Sequence, residues 1–223
     1  MNGMALHGGI IPVCGTFFVF SDYMKPAFRM SALMRQQVIY VWTHDAFRVG
    51  EDGPTHQPVE HELQVRLMEA LKNHKGKNSM LVLRPADVDE TTVAWKMALE
   101  NQDTPTALIL SRQNVKNLPR KESKYNEALG ATKGAYIVKD CEGTADVILL
   151  ASGSEVSTLV AATELLESRA NLNVRIVSVP SEGLFFSQPE SYIRSVIDYN
   201  LPIFGLTAGL PLSMQRLVGL KGK

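Results

Sequence analysis

The side chains with the most chemical capacity in this 223-residue chain lie in two neighbouring runs. They are Thr43-His44-Asp45 and Gly50-Glu51-Asp52-Gly53-Pro54-Thr55-His56-Gln57-Pro58. Histidine can donate, accept or carry a proton near neutral pH, and carboxylates accept hydrogen bonds from sugar-like hydroxyls. Gly50, Gly53 and Pro54 impose a tight, rigid turn. Any one of these residues alone reads as turn chemistry or solvated charge, but two histidines and three acids between positions 44 and 56 read as a site. His44, Asp45, Asp52 and His56 are also types that ligate zinc or iron. The Gly53-Pro54 turn and the lack of a helical i, i+4 histidine pair weigh against that reading. Two further groups flank the loop. Arg112 ends an apolar run and offers the forked, permanently charged donor set that phosphate recognition favours. The aromatic run containing Phe17, Phe18, Phe20 and Tyr23 reads, by itself, as core.

The elements that must position these residues form an α/β pattern. Val38–Trp42, Met80–Leu83, Ala107–Leu110, Val147–Leu150, Val174–Val177 and Ile203–Leu206 are short apolar runs, as expected of strands buried on both faces of a parallel sheet. The first ends just before Thr43, so the polar loop falls outside the carboxyl end of a strand, where open α/β sheets bind ligands. Leu63, Leu67 and Leu71 mark one stripe of an amphipathic helix. Asp87 with Glu90 is a capping-box-like start for a helix carrying Val93, Met97 and Ala98, and Ser154 an N-cap for one carrying Val156, Leu159, Val160 and Thr163. The polar stretch from Gln113 to Lys133 separates two such patterns. The expected architecture is two doubly wound, mainly parallel-sheet domains, the second with three strands and a long unpaired edge.

Composition narrows the function classes. Lys plus Arg is 23 and Asp plus Glu is 23, a net charge of zero, without the basic excess of a nucleic-acid-binding module. With 45% hydrophobic residues the chain has the makings of a core, and no uninterrupted apolar stretch reaches membrane-spanning length. The first residues lack the marks of a signal peptide, and Cys14 and Cys141 are too few for a disulfide framework. A cytoplasmic location is expected, with no nucleic-acid or membrane partner.

Around these residues the sequence resembles the transketolases, thiamine-diphosphate enzymes that move two-carbon ketol units between sugar phosphates. The resemblance rests on Gly50–Pro58 and continues through Leu6–Gly9, Gly15–Phe20, Arg29–Leu33, Leu83–Asp87, Leu110–Asn114, Ala151–Val156 and Val177–Ser181, essentially the whole chain. It implies that Phe17, Phe20 and Tyr23 line a pocket for the aminopyrimidine ring of the cofactor, with Phe20 stacking on it. His44 and Arg112 would hold the substrate phosphate, and Asp52 would accept a hydrogen bond from a donor-sugar hydroxyl. His56 would sit beside the cofactor's amino group and the C1 hydroxyl of the ketose, where it orients that hydroxyl or moves a proton. Phe18, out of phase with its neighbours, stays in the core. Ala46-Phe47-Arg48 departs from the small residues of many relatives and puts an extra cation, Arg48, near the phosphate; His7 receives no role.

The same resemblance implies a partial enzyme. Residues 1–112 correspond to most of a pyrimidine-binding domain, 113–134 to a linker and 135–223 to part of a C-terminal domain. No Gly-Asp-Gly run followed by an asparagine occurs, and no acid precedes Asp22. The magnesium ligands, the diphosphate cradle and the glutamate that activates the cofactor are therefore expected elsewhere, in a homodimer or a complementary chain. Ketol transfer in the pentose phosphate pathway is the implied function, without activity of this chain alone. A non-catalytic fragment, a 1-deoxyxylulose-phosphate synthase or a 2-oxoacid dehydrogenase β subunit are alternatives. The last two share Asp-Gly-Pro-Thr-His, but Thr43-His44-Asp45 and Ser111-Arg112-Gln113-Asn114 favour transketolase.

Overall fold

The computed structural model describes residues 1–121, 124–220 and 222–223. Positions 122 and 123 of the expected linker, and position 221, lie outside the described residues. Eight strands are described: β1 (Val13–Phe17), β2 (Ile39–Thr43), β3 (Leu81–Leu83), β4 (Thr106–Ile109), β5 (Tyr136–Lys139), β6 (Val147–Ala151), β7 (Val174–Ser178) and β8 (Ile203–Leu206). The helices are α1 (Asn2–His7), α2 (Ser21–Met34), α3 (His61–Ala70), α4 (Val88–Glu100), α5 (Lys124–Ala128), α6 (Glu155–Ala170), α7 (Glu182–Phe185), α8 (Glu190–Val196) and α9 (Gln215–Val218). Among the described residues no helix is long and apolar enough to cross a membrane.

Two four-stranded sheets result. The first has the order β1-β2-β4-β3 and is parallel throughout. Its central strands are covered on both sides because successive side chains alternate between faces. Tyr40, Trp42, Val82, Ala107 and Ile109 pack with Phe28 of α2 and Val65 of α3, whereas Ile39, Leu83 and Leu108 pack with Ala94 and Ala98 of α4. The second sheet, β5-β7-β6-β8, is parallel except for β5. Ile148, Leu150 and Val177 face α7, α8 and α9; Leu149, Ala151 and Ile176 face Val156 and Leu159 of α6. The doubly wound, mainly parallel α/β architecture is the one expected.

Several local expectations are corrected. The second sheet has four strands, not three; β5 is an antiparallel edge strand with a bulge, and its short Tyr136–Val138 apolar run directly follows the polar stretch that read as a linker. The edge beyond β8 is not bare, since Lys223 exchanges backbone hydrogen bonds with Ile203 and Gly205. The leucine stripe of α3 faces outward, with Leu67 62% and Leu71 50% exposed. Its buried face carries Glu62, Val65, Arg66 and Glu69 instead. Ser154 occupies the N-cap of α6 without making a side-chain capping bond, because its hydroxyl points to Asp45 and Glu155. Asp87 caps α4 as expected, accepting from the Glu90 backbone N–H at 2.9 Å.

A polar seam joins the two sheets. Arg84 donates to Asp45, Glu62 and Glu155, Arg66 to Glu62 and Glu69, and Ser181 to Glu69. Gly153 lies so close that a Cβ there would stand 2.7 Å from Arg84 Nε, and its φ of +67° belongs to glycine.

Candidate functional site

β1, β2 and β4 are adjacent and parallel, so their carboxyl ends open onto the same rim. Register places Phe17 beside Thr43 and Trp42 beside Ile109. The aromatic run, the histidine loop and the loop bearing Arg112 must therefore converge.

They do so as an aromatic shelf with a polar end. The ring of Phe17 stacks on His44, centroids 3.7 Å apart and planes 28° from parallel. Phe20 lies 6.3 Å from Phe17 and meets His56 edge-on at 5.4 Å and 82°. Tyr23 stands 6.3 Å from Phe20 and is 86% exposed, so it forms the outer lip. Phe18 is only 2% exposed and stacks on Trp42, which makes it core. Phe17 and Phe20 thus present partly open faces. A flat heteroaromatic ring gains about 0.5–1.5 kcal/mol per such contact beyond burial, and the shelf fits one.

At the polar end Asp52 sits between Arg112 and His44. Its Oδ2 is 2.9 Å from Arg112 Nε and 3.7 Å from His44 Nε2, close in distance but without hydrogen-bond alignment. Glu51, 87% exposed, holds Arg112 Nη2 at 3.2 Å. An entering phosphate would exchange with Glu51, whose solvated ion pair is weak, while Asp52 stays available to a hydroxyl. Both histidines are oriented from behind. Thr43 Oγ1 and His44 Nδ1 share a 3.0 Å hydrogen bond, and Thr55 Oγ1 and His56 Nδ1 one of 2.9 Å, which turns each Nε2 away from its own backbone. Both threonines lie in the runs singled out in the sequence, where no role attached to them; the repeated Thr-His dipeptide is its signal.

Not every candidate joins the shelf. Asp45 turns into the seam, so the set His44, Asp45, Asp52 and His56 does not assemble as a metal site. The His/carboxylate group that does gather among the described residues is Asp22, Glu60 and His61; there Lys25 already pairs with Asp22 at 2.9 Å. Arg48 lies over the ring of Phe47 and lines a separate cleft of about 240 Å³ with Lys116 and Thr158. His7 ends α1, which buries no residue. A cleft of about 630 Å³ between Lys72 and Asp103 contains none of the shelf residues.

Comparison with known proteins gives a consistent picture. Residues 1–117 match the family model of the transketolase pyrimidine binding domain, and residues 134–223 that of the transketolase-like TK C-terminal domain. A transketolase of Halalkalibacterium halodurans is 47% identical over 224 aligned positions, 100% of this chain and 32% of that protein. A solved transketolase from Leishmania mexicana superposes with a TM-score of 0.84 at 39% identity, covering 99% of this chain and 30% of the other. A Pichia stipitis transketolase, solved in complex with sedoheptulose-7-phosphate, does so at 0.78 and 39%, covering 93% and 28%. The chain spans about a third of the length of the curated relatives it matches.

Proposed function

We propose, because the chain belongs to the transketolase family, that its shelf is the ring-binding and substrate-reading part of a thiamine-diphosphate-dependent ketol transferase. When bound, the cofactor supplies the carbon nucleophile that takes up the two-carbon unit. Phe17 and Phe20, with Tyr23 at the lip, hold the aminopyrimidine ring by apolar and edge-on contact. Arg112 and His44 bind the phosphate of the sugar. Asp52, already between them, accepts a hydrogen bond from a donor-sugar hydroxyl, and a half-buried carboxylate placed to pair with a hydroxyl disfavours a sugar that lacks it. His56 orients the C1 hydroxyl of the ketose or carries its proton, a role that typically contributes 10²–10⁴-fold. The observation that carries this reading is the placement of Asp52 between His44 and Arg112 at the end of an aromatic shelf.

The finer assignments follow the same proposal. Residues 1–112 act as the ring-binding unit, 113–134 as linker and 135–223 as C-terminal unit. Magnesium and the diphosphate are held by residues outside this chain, in a homodimer or a complementary chain, working in the cytoplasm on pentose phosphate pathway sugars. The exposed Met30, Leu33, Leu67 and Leu71 of α2, α3 and the turn after α3, of which Leu33 and Leu71 line one cleft, support a protein partner, since grouped exposed apolar side chains mark interaction surfaces. The test is Arg112→Ala in the complete enzyme carrying this segment. KM for phosphorylated sugars should rise by the equivalent of about 1.5–3 kcal/mol while unphosphorylated sugars change little; an equal effect on both rejects the assignment. The 223 residues alone, given excess thiamine diphosphate and magnesium, should show no ketol transfer from xylulose 5-phosphate. Turnover lost in His56→Ala would show that the outside residues are dispensable.

A further inference from the structure

His44 holds a φ of +62°, a left-handed conformation that is uncommon for a residue with a Cβ. The next residue supplies the restraint. Asp45 is 1% exposed and its backbone N–H donates to the Leu110 carbonyl at 3.1 Å. Its Oδ2 accepts from Arg84 Nη2 at 2.9 Å and from Ser154 Oγ at 3.4 Å; Oδ1 has no hydrogen-bond partner. The side chain is therefore fastened through one oxygen, chiefly by Arg84. Arg84 is in turn fixed from the second sheet, where Glu155 at the start of α6 takes the same Nη2 on both carboxylate oxygens at 2.8 and 2.7 Å.

We propose that Arg84 is a positioning residue for His44, acting through Asp45, with Glu155 of the second unit fixing the guanidinium that does so. The left-handed turn at His44 sends adjacent side chains in opposite directions, His44 to the shelf and Asp45 to the seam. A buried carboxylate must keep its charged partner, so the anchored Asp45 holds the turn. Freed from it, Asp45 moves toward water and His44 relaxes to ordinary dihedrals, away from Asp52. The functional consequence rests on the reading of His44 as a phosphate ligand; the positioning itself does not.

The experiment uses the ¹⁵N-labelled 223-residue chain, with the His44 signals assigned by loss in His44→Gln. Arg84→Lys keeps the charge but loses the fork, and Asp45→Asn removes the charge isosterically. Both should displace the His44 backbone and imidazole signals. Both should also raise at least fivefold the concentration of inorganic phosphate that half-shifts them. Arg66→Lys, the same change in the same seam but bonded to Glu62 and Glu69, should lower the melting temperature and leave His44 in place. If Arg84→Lys does not fold, Asp45→Asn alone decides. Unmoved His44 signals in Asp45→Asn, or an equal displacement in Arg66→Lys, overturn the proposal. Displaced signals with an unchanged phosphate midpoint uphold the positioning and reject His44 as the phosphate ligand.

Discussion

Phe18 and Phe20 stand two positions apart and serve different ends. Phe18 is enclosed by Trp42 and His61, whereas Phe20 touches Phe17, Tyr23 and His56, all at the rim. Phe20→Ala should therefore weaken thiamine diphosphate binding to the complete enzyme by several-fold or more, the equivalent of about 0.5–1.5 kcal/mol beyond lost burial. The stability of the cofactor-free chain should fall far less than in Phe18→Ala, where a core deletion costs about 3–5 kcal/mol. Urea unfolding of both variants beside a cofactor titration checks this; comparable destabilisation would make Phe20 a core residue. The polar loop stood out because its residue types sit in short runs at the end of one strand, whereas Phe17, Phe20 and Tyr23 read by themselves as core and were picked out only by the family resemblance. What could not be read was direction. His44 and Asp45 are equally polar neighbours, and only the positive φ at His44 separates a shelf residue from a seam residue.

The elements show which signals carry. β2, β4 and β6 are largely buried on both faces, and their continuous apolar runs gave them away; β7 did so through Val174, Ile176 and Val177, although Arg175 interrupts it. β1, at one sheet edge, has no fully buried residue and is interrupted by Gly15 and Thr16, and the short apolar run of β5 follows directly on the polar stretch, so neither stood out. α3 is the instructive failure. Leu63, Leu67 and Leu71 follow the helical repeat, yet Glu62, Arg66 and Glu69 follow it as well, on the face turned inward. The charged set could be buried because Arg66 bridges Glu62 and Glu69 and because Arg84 and Ser181 complete their bonding. Those partners come from elsewhere in the chain, so no local pattern announces them. The cap at Asp87 was legible because it is local: the Glu90 carboxylate, instead of reaching back to the cap, takes the Ala86 N–H at 2.8 Å, one residue earlier.

At the scale of the whole molecule the seam is where the two sheets meet, and its charges do not balance. Asp45, Glu62, Glu69, Glu155 and Glu182 surround Arg66 and Arg84. Burial works against ionising Glu62, but Arg84 and Arg66 beside it hold its carboxyl below the usual range. The excess negative charge is borne elsewhere. Burial, above all, pushes Glu182 up to about 7; Arg66 opposes the shift, 3.9 Å away, and Glu62 and Glu69 add to it. In the unfolded chain the same carboxyl titrates near ~4.3. The folded state therefore binds the extra proton between these two values, and stability falls as pH rises through that window, by about 1.4 kcal/mol per pH unit at most. Below ~4.3 both states are protonated and the contribution is whole; above about 7 it is gone. Glu182→Gln mimics the protonated form at every pH. It should match the parent chain near pH 4 and exceed it increasingly in urea midpoint from there to pH 8. Parallel profiles across that range would place the seam's excess proton on another carboxylate, with Glu155, also raised by burial, the next to be changed to glutamine.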